Sequence, residues 1–91
     1  MVTSAVWLKI DAECVAEAVH EAGEKLDSVD AEVVLDFSGV RRIDPRALRA
    51  MEELAGKADG KAVRVVLRSV NVDIYKVLKL VNLTRRFSFV T

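Results

Sequence analysis

The sequence is short of the residues from which active sites are usually built. It has one cysteine, one histidine and one proline among 91 residues, and its four glycines are scattered. One cysteine cannot close an internal disulfide, and a zinc site needs several ligands at fixed spacing. No glycine-rich phosphate loop and no nucleophile elbow occurs. His20 lies in the middle of an acidic stretch and is expected to be a solvated surface residue. Cys14, one turn from Ala18, is expected to pack as a small hydrophobe and not to act as a nucleophile. The pair Glu52-Glu53 falls on a helix surface, not in a cleft. No apolar run approaches the roughly 20 residues that cross a bilayer. The opening MVTSAVWLKIDAEC has no basic lead before an apolar run, so no secretory leader is expected. These absences predict a single domain over 1–91 that is not an enzyme, holds no metal and no cofactor, does not insert into a membrane, and works in a reducing, cytoplasmic setting.

Net charge is zero, with 14 basic and 14 acidic residues, but the charge is unevenly placed. Residues 1–36 hold nine acids and two bases, net −7; residues 37–91 hold five acids and twelve bases, net +7. Such a split steers partners if the halves stay apart in space. The plainer expectation is that the first and third helices expose opposite charges. Arginines are numerous, yet the isoelectric point is about 6.6 and Trp7 and Tyr75 sit in no basic sheet motif. A nucleic-acid binder is expected to be basic overall, so no nucleic-acid partner is expected.

What is present is an alternation of strand-like and helix-like segments. AVWLKI, residues 5–10, has the apolar content of a strand. Residues 12–27 are helical by period, with Val15, Val19, Ala22 and Leu26 on one face, Glu13, Glu17, His20, Glu21 and Glu24 on the other, and Asp11 where an N-cap belongs. VVLDF, residues 33–37, reads as a buried strand. A second helix is predicted from Pro45 to about Ala58, with Leu48, Met51, Leu54, Ala55 and Ala58 as its stripe and Asp59-Gly60 ending it. Residues 62–68 make a third strand, and residues 72–81 a third helix with Ile74, Val77, Leu78 and Val81 inward. Asn82 follows, where a left-handed residue is wanted, and residues 87–90 close with a strand. The order β-α-β-α-β-α-β implies an α/β layer whose strands are made parallel by helical crossovers.

The second helix begins in a distinctive way. Asp44 is a strong N-cap, and Pro45 fits the first helical position, where its missing N–H costs nothing. Helix N-termini attract anions, and Arg46 adds to that attraction.

VVLDFSGVRRIDPRALRAMEEL resembles the central signature of STAS domains, the family of sulfate transporters and anti-sigma factor antagonists. There, a strand ending in Asp leads through a short loop to Asp-Ser-Ser-Gly-Leu at the start of the second helix. SVNVDIYKVLKLVNLTRRFSFV is similar to the closing pattern of the same family. The resemblance covers residues 32–90 well and the first thirty residues loosely. It implies a STAS-like α/β fold, a small, mostly parallel or mixed sheet of four to five strands with about three helices mainly on one side. It also implies a bacterial, non-enzymatic role in signal transduction and transcription regulation. Stand-alone members bind a regulatory serine kinase that also holds a sigma factor, and phosphorylation of the second Ser of the motif controls the binding.

Carried over by position, Asp44 matches the Asp, Pro45 the first Ser, Arg46 the second Ser, Ala47 the Gly and Leu48 the Leu. Here the chain departs from the family. Arg46 has no hydroxyl, Pro45 offers none, and Ser38 and Ser69 lie away from the site. A phosphoserine carries about −1.5 to −2 charges, whereas Arg46 carries a positive one. Three readings follow: a protein-binding module without covalent control, a STAS subunit of a membrane transport or signalling assembly, and an anion or nucleotide sensor. The expected partner-binding face is Arg42, Asp44, Arg46, Arg49 and Glu53. The plain alternative for Arg49 and Glu53 is a surface pair one turn apart. Pairing of two copies stays open.

Overall fold

Three segments carry triplets of adjacent apolar residues: Val6-Trp7-Leu8, Val33-Val34-Leu35 and Val65-Val66-Leu67. Such runs suit strands of a parallel sheet, where helical crossovers cover the faces. The computed structural model of the chain, which describes residues 3–90, sets these triplets side by side. The strands are β1 (Thr3–Lys9), β2 (Val29–Asp36), β3 (Arg64–Arg68) and β4 (Ser88–Val90). They form one sheet in the order β1-β2-β3-β4, parallel throughout. Trp7, Val34, Val66 and Ser88 make one row across the sheet; Leu8, Leu35, Leu67 and Phe89 make the next.

The connections are α1 (Val15–Glu24), α2 (Pro45–Lys61) and α3 (Val72–Leu80). Every crossover steps in the same direction along the sheet. Right-handed crossovers that all step one way place all their helices on one face. The core therefore lies between that face and the helices. Val33, Leu35, Val65 and Leu67 of the sheet meet Val19 and Ala22 of α1, Met51 and Leu54 of α2, and Ile74 and Leu78 of α3. Phe37 and Phe87 join the same core. Among the described residues the sheet has four strands, all parallel, within the mostly parallel or mixed sheet of four to five strands that the resemblance implies.

Helix boundaries differ from the sequence expectation in three places. First, Asp11 caps a turn, not a helix. Its carboxylate accepts the Glu13 N–H at 2.9 Å and its carbonyl accepts the Cys14 N–H at 3.1 Å. A short carboxylate competes for nearby amides in this way. The α-helix begins only at Val15, with Cys14 as an N-cap lacking any side-chain hydrogen bond. At the other end Lys25–Ser28 tighten into a 3₁₀ turn. The stripe Val15, Val19, Ala22 and Leu26 is nevertheless buried throughout.

Second, α2 runs through Asp59-Gly60 to Lys61, and it is Ala62 that turns left-handed, at φ 57°. The Val63 N–H then reaches back to the Ala58 carbonyl at 3.0 Å, and both side chains are buried. That closing contact offsets the cost of about 1–2 kcal/mol for an alanine in this conformation. The same motif ends α3. Asn82 adopts φ 66°, and the buried Leu83 donates its N–H to the Leu78 carbonyl at 2.8 Å. Third, Val81 falls beyond α3 and is exposed, not inward.

The charged halves do not stay apart. α1 and α2 run side by side as parallel crossovers, and two ion pairs bridge the connections: Glu17 of α1 to Arg46, and Asp27 of the 3₁₀ turn after α1 to Lys61. Arg86 pairs with Asp59. All six groups are well exposed, so each pair is worth less than about 1 kcal/mol. The Lys61 ammonium, donating a hydrogen bond to Asp27, holds that carboxyl below its ordinary value.

Gly60 lies inside α2 with an ordinary backbone, and a Cβ there would meet nothing within 4 Å. Gly60→Ala is expected to stabilise the fold by about 0.5–1 kcal/mol. Differential scanning calorimetry should show Tm rising by about 2–8 °C.

Candidate functional site

The carboxyl ends of the strands and the amino ends of the helices lie at one end of the layer. The loop from Phe37 to Asp44 crosses that end between β2 and α2. Asp36 opens it by accepting the Ser38 N–H at 2.9 Å. The hydrogen bonds from Ser38 hold the Asp36 carboxyl below its ordinary value of 3.8, with Lys9 and Arg68 assisting and partial burial opposing. Val40 anchors the loop in the core, and Ile43 packs against the core's edge. Arg41 and Arg42 are left outside, exposed.

Asp44 caps α2 as its sequence position predicts. The residue is extended (φ −89°, ψ 173°), its Oδ1 accepts the Ala47 N–H at 2.8 Å, and Pro45 follows at the first helical position. With the Asp44 carboxylate on the first turn, that helix end has already met its nearest anion. Arg46 points across to α1, where its Nη2 donates to Glu17 Oε1 at 2.9 Å. Arg42, Asp44, Arg46, Glu13 and Glu17 all border one open recess of about 340 Å³ between the starts of α1 and α2. Three of those five groups are acidic, so the recess is poorly suited to an anion.

The remaining residues expected at this face are spread more widely. Arg49 and Glu53 are both exposed on α2. No ion pair within 4 Å joins them among the described residues, so the pair one turn apart does not form. Glu53 lines a small crevice against α1 with His20 and Lys57. His20 is exposed, as expected. Cys14 is half-buried, and its partial burial, reinforced by the Asp11 carboxylate, pushes the thiol above its ordinary value. That keeps it protonated, the opposite of what a nucleophile needs.

Two residues of the site escaped the sequence reading. Glu17 was placed on the solvated face of the first helix, and nothing local marks its partner 29 residues away. Asn71 had a usable signal, being an Asn just before a helical stretch. It caps α3 by accepting the Ile74 N–H at 2.8 Å. Its amide also donates to the carbonyls of Val40 at 3.3 Å and Arg41 at 3.0 Å. One side chain thus fastens the loop before α2 to the start of α3.

Comparison with known proteins agrees on this fold. The profile of a family described as "Mlab, STAS domain" matches residues 8–91. No protein of curated function matches the sequence. A Thermotoga maritima protein provisionally assigned as an anti-sigma factor antagonist is similar in both its solution and crystal structures. The solution structure has a TM-score of 0.77 at 22% identity, over 99% of this chain and 76% of that one. The crystal structure has a TM-score of 0.67 at 22% identity, over 98% and 80%. An anti-sigma factor antagonist (STAS) domain protein from Planctomyces limnophilus superposes with a TM-score of 0.72 at 13% identity, over 91% and 79%.

Asn71→Ala removes a cap and two loop contacts, and is expected to cost about 2 kcal/mol in a urea melt; Asp44→Ala, which loses one cap bond, should cost about 1 kcal/mol. Asp36 should titrate by NMR with a midpoint below 3.8. A carboxyl lowered by folding stabilises fully above its unfolded value and loses that contribution as pH falls through the folded value. Stability should therefore begin to drop near pH 3.8 and continue below it, and replacing Asp36 with Asn should flatten that limb.

Proposed function

The chain belongs to the STAS domain family, and from that premise we propose that it is a non-enzymatic protein-binding module, related in role to anti-sigma factor antagonists, whose docking face is the start of α2. The face comprises Arg42, Asp44 and Arg46, flanked by Arg49 and Glu53. The observation that carries the proposal is Arg46 itself. It stands where the family motif has its phosphorylated serine, and its exposed guanidinium donates to Glu17 at 2.9 Å. A cation held in place by α1 gives a partner a fixed, exposed charge to read. Phosphorylation would instead deliver a negative charge of about two at that point, on demand. The module therefore presents one permanent setting, without a covalent switch at this position.

Sheet topology also favours a protein partner over a small ligand. Open α/β sheets bind small ligands in the crevice where the strand order reverses. The order β1-β2-β3-β4 never reverses, so no such crevice opens. The recess at the helix starts is open and acidic on balance, unlike a nucleotide or phosphate site. An exposed, charged surface suits docking by another protein, expected to be a regulatory kinase or anti-sigma factor.

The test is an affinity capture from native lysate with three baits: wild type, Arg46→Glu, and the swap Glu17→Arg/Arg46→Glu. The partner is identified by mass spectrometry, and its binding is then measured with purified protein. Arg46→Glu should weaken binding at least about tenfold, equal to 1.4 kcal/mol. The swap restores the ion pair with its polarity reversed, so it should bind as poorly as the single variant if the partner reads the charge at 46. Recovery in the swap would mean that the pair only braces the helices. Equal binding by all three baits would remove the docking face from this position.

A further inference from the structure

Among the described residues, no helix covers the face of the sheet opposite α1, α2 and α3. Parallel sheets are found almost always with both faces covered, yet the one-way crossovers of this fold leave the second face bare. Its pattern is regular. The row Trp7-Val34-Val66-Ser88 runs across the middle. Val34 and Val66 are 5% and 7% exposed but lie outside the helix-side core, and Trp7, the only tryptophan, is 60% exposed. On one side of this row, Lys9, Asp36 and Arg68 stand in register; on the other, Glu32 and Arg64. Arg68 lies over the Trp7 ring, 5.0 Å from its centroid.

Reading along the strands makes the logic plainer. On this face β2 presents Glu32, Val34 and Asp36, acid-apolar-acid. β3 presents Arg64, Val66 and Arg68, base-apolar-base. The register neighbours Glu32 and Arg64, and Asp36 and Arg68, form no ion pair within 4 Å among the described residues. Glu32 and Arg64 are thus left without a close ion-pair partner, while Asp36 holds the Ser38 amide and Arg68 lies over Trp7.

We infer that the bare face is the interface of a symmetric dimer, in which β2 of one copy packs over β3 of the other. A two-fold axis parallel to the strands and midway between β2 and β3 produces this arrangement. It sets Glu32 against Arg64 of the second copy, Val34 against Val66, and Asp36 against Arg68, each contact occurring twice. It also sets the bulky Trp7 over the short β4, at the small Ser88. Aligned sheets pack about 10 Å apart, within the combined reach of an arginine and a carboxylate. The other in-plane axis, across the strands, would set the acids of β2 on each other and the arginines of β3 on each other. The charge pattern therefore selects one orientation. A self-complementary patch is what a two-fold interface requires, and the exposed Trp7 supplies the apolar surface that it can still bury. The inference does not depend on the docking face proposed above, which lies at the helix starts and stays open in the dimer.

The test uses the full chain in sedimentation equilibrium, with two charge reversals at exposed or half-exposed positions, Glu32→Arg and Arg64→Glu. Asp36 is left intact because it holds the Ser38 amide. Wild type should move from 10.1 kDa toward twice that mass as concentration rises. Each variant alone sets like charges together and should raise the dimer Kd at least about tenfold. Their equimolar mixture restores both pairs, and should regain wild-type association with a blue shift of Trp7 emission. Circular dichroism checks that each variant is folded. Wild type that stays monomeric at about 1 mM, the weak end of specific association, overturns the inference. So does a mixture of two folded variants that fails to associate. If a reversal unfolds the chain, Glu32→Gln and Arg64→Gln take its place, each expected to weaken the dimer, and the wild-type series remains decisive.

Discussion

Handedness of the crossover is the constraint on which this molecule depends. Three successive connections each carry the chain from one strand to the next strand along, always in the same direction. Because each must be right-handed, all three helices arrive on the same side. The position of the core follows at once, as does the gathering of helix starts at one end of the layer. The bare second face is the other half of the same fact. A single reversal in strand order would have moved a helix across the sheet, covered part of that face and opened a crevice at the point of reversal.

At the helix starts, local capping and long-range tethering act on the same few residues. Asp44 and Asn71 satisfy the first turns of their own helices, and Asn71 in addition ties the loop before α2 to α3. Arg46 leans on Glu17 of the neighbouring helix. The loop carrying Arg41 and Arg42 is therefore held on both sides while its arginines stay in water. A surface held in this way has little left to order.

Much of this was legible in the sequence, because the signals are local. The apolar runs marked the first three strands, Asp44-Pro45 marked the start of α2, and Asn82 marked the end of α3. Asp11 misled because a carboxylate can cap a bare turn as readily as a helix. Gly60 misled because the closing contact of Val63 on Ala58 outweighed the preference for glycine at the left-handed position. What sequence could not reveal were contacts between distant residues: Arg46 with Glu17 at 29 residues, and Asn71 with Val40 at 31. Nor could it reveal that the triplets would be covered on one side only, since a continuous apolar run looks the same in both cases. The opposed charges of the two halves were visible; that they would staple α1 to α2 was not.

The unbroken strand order has one more consequence, and it concerns how the chain finds its fold. Leu8 pairs with Leu35, Leu35 with Leu67 and Leu67 with Phe89, separations of 27, 32 and 22 residues. Among the described residues no strand pairing joins β1 to β4. Loop closure grows only slowly more costly with length, so these three closures cost nearly the same entropy. Each completed strand-helix-strand unit then offers an edge on which the next can add, much as successive repeats do in a solenoid. Folding of this kind needs no single distant contact to begin. It also leaves the three-residue β4, the last and smallest addition, as the unit expected to open first while the rest of the sheet stays paired.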